Sequence, residues 1–466
     1  MYVCVCVCVC SCVVNIFFFV VEEESSSCQL AKLTQITAAA ELRGGGALVF
    51  SQAFVLRTMH HTTCVLLLCG ACTYWVMALL VLLLRVLVPH LRNMARYGGR
   101  HAVAAATVDG NKNNVGDGVQ KCVSAGHKAM GDSTTHGSWF WKAIKVAVGA
   151  LESSILCRVR LSRKRSFCAF YVTGIVSSFL IWQLHSRPLP VITMRVLSSD
   201  ALNYYEALPL VAFFIHCAVR LWECQCVHCF RGGPSDTVTL FAALAGCSFY
   251  VIAAISSSPI VSCVTQTLLF VGDVPHFPRS VEASRSFNFF LTAAVVSFFF
   301  HLFLQSLQMF HHGILARMRD KSTPTSNSFD AAASGSKKHS HDAHYGVEAC
   351  VEKSGFFYRF PNAYLFKYVM EPHYTCEILM YVLNAVSMWA CISRGAPSIM
   401  AVWQSKGVQS TLLLAMSYAT PLGVLLFSLF NLAITASEHR LFWNQLNEKR
   451  ERKEQIPPWN LFYRVW

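Results

Sequence analysis

Charge is what this sequence has least of. Only 14% of its 466 residues are Asp, Glu, Lys or Arg, where a soluble globular domain carries about 25%. A water-soluble chain of this length could not clothe its surface with so few charges. That excludes a Rossmann-type enzyme, an extracellular sandwich or a solenoid as the main body. Acidic residues are the scarcer sign, 25 against 39 Lys and Arg, which leaves a formal charge of +14. In a membrane chain such an excess marks cytosolic loops facing anionic lipid, so no nucleic-acid partner is expected. There is no internal repeat at solenoid or transporter scale. Gly44-Gly45-Gly46 is followed by neither a strand-helix switch nor a Lys-Ser/Thr pair, which excludes a phosphate loop. The 21 cysteines lack the even, loop-borne spacing of a secreted disulfide scaffold. Five alternate in the run Cys4 to Cys12, and others, such as Cys64, Cys69, Cys72, Cys247 and Cys391, lie in apolar stretches. There cysteine behaves as a small hydrophobe, and most are expected to be reduced and structural.

What the chain has is apolar length. Hydrophobic residues make up 54% and the mean hydropathy is +0.43. Stretches of about 20 residues with few charges match a hydrocarbon core of about 30 Å. They fall at 63–84, 166–185, 202–219, 237–260, 286–310, 374–393 and 408–436. The expectation is an all-α integral membrane protein, a bundle of about seven transmembrane helices embedded in the lipid bilayer. A further apolar run at 3–21 opens on a Val-Cys repeat without a basic flank, which makes it a poor signal peptide. Basic patches precede the second span (Arg158 to Arg165) and follow the third (Arg220, Arg231), the fifth (Arg317 to Lys367) and the seventh (Arg440 to Lys453). Two spans separate each patch from the next, so all four share one side, the cytosol by the positive-inside rule. The C-terminus is expected on that side.

Five segments follow: an N-terminal extension at 1–62, a first span with a basic polar loop at 63–165, the first part of the bundle at 166–319, a Ser/Ala/His-rich insert at 320–355, and a C-terminal part at 356–466. The insert's composition reads as disordered and cytosolic.

Ionisable residues at membrane depth are costly and mark function. Three clusters stand at the cytosolic edge. His373 and Glu377 are four apart and share a helix face at the start of the sixth span. Gln308, His312 and Arg319 stack at spacings of four and seven at the end of the fifth. An amide, an imidazole and a guanidinium on one face suit an anionic, hydrogen-bonding ligand such as a nucleotide. His216, Arg220, Trp222 and Glu223 close the third. Cys224, Cys226, His228 and Cys229 offer four ligand types, but four within six residues rarely close one tetrahedron without a distant pair. No metal is expected.

These clusters carry a resemblance. Arg359, Pro361, Pro372, His373, Tyr374 and Glu377 resemble the Arg-x-Pro turn and Pro-His-Tyr-x-x-Glu motif of the steroid 5-alpha-reductase family, in the form seen in its polyprenol reductase branch. His312-Gly-Ile-Leu-Ala-Arg-Met-Arg319 looks like the family's His-x-Ile-Leu-x-x-Leu-Arg. Arg220-Leu-Trp-Glu-Cys224 is similar to its Arg-x-Tyr-Glu-Cys, and Lys164-Arg-Ser-Phe-Cys-Ala-Phe-Tyr171 to its Lys-Arg-x-Phe-x-His-Phe-Tyr. The tail from Asn431 through Glu438-His439 to Ile456-Pro457 resembles its closing motif. The likeness runs in order over 162–466. It departs at Ala169, where the family has His, and at the charged residues 449–452, where it has Tyr-Pro.

The resemblance implies a seven-helix bundle in the endoplasmic reticulum membrane that binds NADPH from the cytosol. Its cofactor contacts carry over to Arg220, Gln308, His312, Arg319, Tyr358, His373 and Glu377, with Trp443 or Phe442 as the late aromatic. The implied reaction saturates the alpha-isoprene double bond of a long-chain polyprenoid lipid on the way to dolichol, and so supports protein N-glycosylation. An alpha,beta-unsaturated aldehyde accepts hydride better than an allylic alcohol, because its oxygen can hold the developing charge. The protein must then donate a hydrogen bond to that oxygen and a proton to the alpha carbon. Tyr171 and His373 are the candidate donors, with Glu223 behind them. A steroid substrate and an isoprenylcysteine methyltransferase are the enzyme alternatives. A channel or transporter is the other class, and would call for pseudo-symmetry and broken midplane helices.

Overall fold

The computed structural model describes residues 47–87, 153–186, 205–228, 236–262, 281–320, 360–393, 399–448 and 454–464, with a few isolated positions besides. The apolar run at 3–21, residues 321–355 of the insert, and Tyr358 and Arg359 lie outside them.

Seven long helices stand among the described residues. They are α1 (Ala47–Leu87), α2 (Arg163–Ser186), α3 (Leu208–Cys226), α4 (Leu240–Ser256), α5 (Val281–Asp320), α6 (Pro372–Ser393) and α7 (Ile399–Glu448). Five contain stretches long and apolar enough to cross a membrane: Thr62–Leu87, Arg163–Leu184, Phe289–Met318, Pro372–Ser393 and Gly407–Glu448. The remaining two, α3 and α4, overlap the stretches expected as the third and fourth spans but are not among those five; α3 lies later in the chain than expected, and α4 is a shorter apolar helix of 17 residues.

Three boundaries differ from the reading of the sequence. The first helix begins at Ala47, inside the supposed extension. The fourth span opens on a strand, because Thr237-Val-Thr239 (β2) pairs antiparallel with Arg160–Ser162 (β1). This clip ties the starts of α2 and α4 together, with Arg163 3.2 Å from Asp236. Thr239 then caps α4, accepting from the Ala242 N–H at 3.1 Å, as an N-cap threonine does. The last helix carries a break at Gly407, whose φ of +76° belongs to the left-handed region glycine tolerates.

The core gathers α1, α2, α3, α4, α6 and α7 around Trp75, Tyr250, Phe213 and Met388. Trp75 donates to Ser256 Oγ at 2.9 Å, satisfying the one polar atom that a buried indole brings. Gly174 allows α2 to lie against α3, since a Cβ there would meet Cys217 Sγ at 2.6 Å. None of the eleven described cysteines is in a disulfide with another described residue, and most are buried or half-buried. Helix α5 packs along α6 over a long seam.

The C-terminal segment is a strap over the start of α6. Met370 N–H donates to Trp459 O at 2.9 Å and Glu371 N–H to Asn460 O at 3.1 Å, while Thr375 Oγ1 donates to Leu461 O. Arg440 of α7 holds the strap by donating to Pro457 O at 2.9 Å and to Asn460. Phe360 N–H bonds Glu454 at 2.7 Å.

Candidate functional site

Three helices that are distant in sequence bring their polar residues to one end of the bundle. On α3, residues 216, 220 and 223 are spaced by four and three, so they share a face. Trp222 does not: two positions from Arg220 is about 200° of helix rotation, and its ring is exposed. On α5 the polar residues Gln308 and His312 lie on the face turned to α6, away from the Phe-rich remainder. His373 and Glu377 stand one turn apart on α6.

Glu223 is fully buried and pairs with the Arg220 guanidinium beside it. His312 Nδ1 lies 3.0 Å from Glu223 Oε1 and 2.9 Å from Arg220 Nη1. Arg220 also lies 5.5 Å from the Tyr171 ring centre, a cation-π distance. A buried charge needs such company, since the attraction within a pair offsets desolvation only when the remaining donors and acceptors are met.

The second half of the site is an amide chain. Gln308 Nε2 donates to Glu377 Oε2 at 2.9 Å and approaches His373 O at 3.3 Å. Gln305 Nε2 reaches Gln308 Oε1 at 3.4 Å, and Gln305 Oε1 lies 2.7 Å from His216 Nδ1. His373 joins the halves, with its ring 4.9 Å from that of His312. Glu371 stands 3.6 Å from His373 Nδ1 and pairs with His439 of α7. The strap thus fixes Glu371, and Glu371 in turn borders His373.

Of the residues singled out from sequence, Tyr171, Arg220, Glu223, Gln308, His312, His373 and Glu377 converge here. Tyr171 comes from α2, buried and edge-on to Tyr250 at 5.3 Å. Trp443 stands apart, packed edge-on against Phe360 at 5.4 Å in an apolar cluster with Phe366, Met370, Ile314 and Leu315. Arg319 ends α5, and its side chain, like Tyr358, is outside the described residues. Gln305 was missed. An amide in an apolar helix gains meaning only once its partners are known.

Glu223, His228 and His312 bring ligand-type atoms within 4.8 Å of one another. The set is one carboxylate and two imidazoles, a donor combination that transition metals accept. Arg220 already pairs with Glu223 and lies 2.9 Å from His312 Nδ1, so the positive charge this grouping calls for is supplied by the protein itself.

Compared with protein-family profiles, with characterised proteins and with solved structures, the chain matches none.

Proposed function

We propose that this protein is an NADPH-dependent oxidoreductase of the endoplasmic reticulum membrane that saturates the alpha-isoprene double bond of a long-chain polyprenal in dolichol synthesis. The observation that carries the reading is the meeting of Arg220, His312, His373, Gln308 and Glu377 in one buried cluster. Their places in the sequence are those of the ordered family motifs. In this reading all seven helices cross the bilayer, and the cluster and C-terminus lie at the cytosolic edge. Channel and transporter readings lose support because the clustered ionisable residues of the three motifs gather at one end.

The donor set fits the nicotinamide end of such a cofactor. Amide, imidazole and carboxylate groups are natural partners for a carboxamide and for ribose hydroxyls, and the buried His373 Nδ1 makes no hydrogen bond. Arg319 and Tyr358 are assigned to the phosphate end on sequence alone. NADPH, when bound, supplies the hydride. The chain's own residues do the rest. Gln308 and Glu377 fix His373 from below, and the strap holds it through Glu371. Tyr171 is the donor to the substrate oxygen, since a phenol beside a guanidinium can stabilise charge developing there. Glu223 is committed to Arg220 and His312, so its part is positioning. The isoprenoid tail lies in lipid between helices, where the flank of α5 presents Phe299, Phe300 and Phe303, all exposed.

The test is NADPH oxidation by proteoliposomes containing the protein, given a polyprenal or a 3-oxo-4-ene steroid. Polyprenal-dependent oxidation with accumulation of the saturated aldehyde supports the assignment. Oxidation with the steroid alone moves the protein to the other branch. Unchanged dolichol and no polyprenol accumulation in depleted cells would sink the substrate assignment.

A further inference from the structure

Beneath the candidate site, the seam between α3, α5 and α6 is polar far deeper than the site requires. Besides His311, which packs against Phe366, the buried polar residues of α5 are Ser297, His301, Gln305, Gln308 and His312. Their spacings of four, four, three and four place them on one face, over about 22 Å at 1.5 Å per residue. The facing stripe on α6 is His373, Glu377, Tyr381, Asn384 and Ser387, at four, four, three and three. Together they run through most of a hydrocarbon core of about 30 Å.

The deep part of this seam has polar atoms without hydrogen bonds. They are His216 Nε2, both ring nitrogens of His301, Tyr381 Oη, Asn384 Oδ1 and Ser387 Oγ. The backbone of Met380 and the His216 ring are the polar groups near His301. Asn384 spends its Nδ2 on Ser257 Oγ at 2.7 Å. Lipid offers such groups nothing, and buried polar groups are otherwise almost always satisfied by protein or by ordered water.

The space for an occupant is there. A cavity of about 10 Å³ is lined by Ser297, His301, Asn384 and Ser387 with apolar neighbours from α3. One or two turns further from the site, a second of about 20 Å³ is lined by Tyr205, Glu206, Ala294 and Cys391. Glu206 is buried there and accepts from Ser262 Oγ at 3.0 Å. Each volume is about the size of one water and far too small for an isoprenoid or a nucleotide. Much of each wall is apolar, and it is the polar atoms of His301, Asn384 and Ser387 in the first and Glu206 in the second that suit water there.

The amide chain sets the polarity of the upper end. Glu377 accepts from Gln308, whose oxygen faces the Gln305 amide, whose own oxygen faces His216 Nδ1. His216 must then carry its proton on Nδ1, leaving Nε2 as a bare acceptor. Its ring lies 6.4 Å from His301 and 6.1 Å from Tyr381. Tyr381 in turn is within electrostatic reach of Tyr171 and Glu377.

We propose that the seam between α3, α5 and α6 is a hydrated path that carries protons from the Glu206 end of the bundle, past Asn384, Ser387 and His301, to His216 and Tyr381 beneath the candidate site. The proton role rests on the reductase reading. Each double bond saturated consumes one hydride, placed on the beta carbon, and one proton, placed on the alpha carbon. A buried donor that has given up its proton must be reprotonated before the next turnover. The path ends blind at its upper end, where the Arg220, Glu223 and His312 side chains close against one another. The bilayer is thus not short-circuited.

The experiment uses the full chain in lipid bilayers, labelled with ¹⁵N-histidine, and measures magnetisation transfer from water to ring nitrogens by solid-state NMR. The His301→Phe variant identifies that residue's signals. Transfer to His301 as fast as to exposed histidines is the expected result, and no transfer to His301 or His216 overturns the path. Asn384→Leu should dry the cavity, removing transfer to His301. It should also slow steady-state NADPH oxidation at least tenfold, raise the solvent deuterium effect and leave the KM for NADPH unchanged. Ser387→Ala, a milder change, should shift all three readouts in the same direction if Asn384→Leu does not fold. A dried cavity with unaltered turnover overturns proton supply. A hydrated His301 in a protein that oxidises no NADPH supports the path and rejects the reductase reading alone.

Discussion

Arg85, in the last turn of the first helix, closes an ion pair of 3.0 Å with Glu438 in the last helix, and both side chains are largely buried. Arg85 also donates to Asn431 at 3.2 Å. The first and last of the described long helices are therefore bolted at one level of the bundle. Removing one partner leaves an uncompensated buried charge, at a cost of about 3–5 kcal/mol, whereas replacing both with apolar residues is often neutral. Arg85→Met should markedly lower the thermal midpoint of the detergent-solubilised protein, and Arg85→Met with Glu438→Met should recover most of the loss. Equal destabilisation by the single and double variants would mean that the pair is not the stabilising unit.

The strap makes a second prediction. Deleting residues 454–464 removes the bonds to Met370, Glu371 and Thr375 and frees Glu371 beside His373. The deletion also uncovers Ile378 and Ala436, which the buried Leu461 covers, so activity is compared per amount of inserted protein. On that basis NADPH oxidation should fall about tenfold or more, since loosened geometry costs rate more than binding. Full activity would show that the strap does not position His373.

Gln308 can be tested in two directions. Gln308→Leu loses a hydrogen bond to a carboxylate, worth roughly 1.5–3 kcal/mol, or about ten- to a hundredfold in rate. Gln308→Glu sets a second carboxylate against Glu377 and should do more damage. A Gln308→Glu enzyme that outperforms Gln308→Leu would place Glu377 in its protonated form and refute the amide polarity described above.

Much of this was legible from the sequence, for identifiable reasons. Arg220, Glu223, His312, His373 and Glu377 stood out because ionisable residues are rare in apolar stretches, and their helical spacings placed them on faces correctly. His301, Asn384 and Ser387 were not legible. Single polar residues in long apolar helices carry little signal until the facing stripe on the neighbouring helix is known. Listing every polar position of α5 at spacings of three and four would have found that stripe. Trp222 was drawn into the cluster by proximity in sequence, although a separation of two turns a side chain to the opposite face. The start of the fourth helix was misplaced because Thr-Val-Thr reads as apolar enough for a span, while its β-branched residues favour the strand they form.

The last prediction separates binding from chemistry at the cofactor face. Arg319 is seven residues beyond His312, two helical turns, so both occupy the same face at the end of α5. A guanidinium can fork onto phosphate oxygens, a contact held equally in ground and transition states. Arg319→Ala should therefore raise the KM for NADPH by about ten- to a hundredfold with little change in kcat. His373 sits where Gln308, His312 and Glu371 meet, so His373→Ala should lower kcat and leave the KM for NADPH nearly unchanged. Removing the His373 ring leaves the Arg220 and Glu223 pair intact, so this variant should insert and fold. Kinetics at several NADPH concentrations, with protein levels checked by immunoblotting, give both numbers. If Arg319→Ala left the NADPH dependence untouched at normal protein levels, the cofactor assignment for that whole face of α5 would fall.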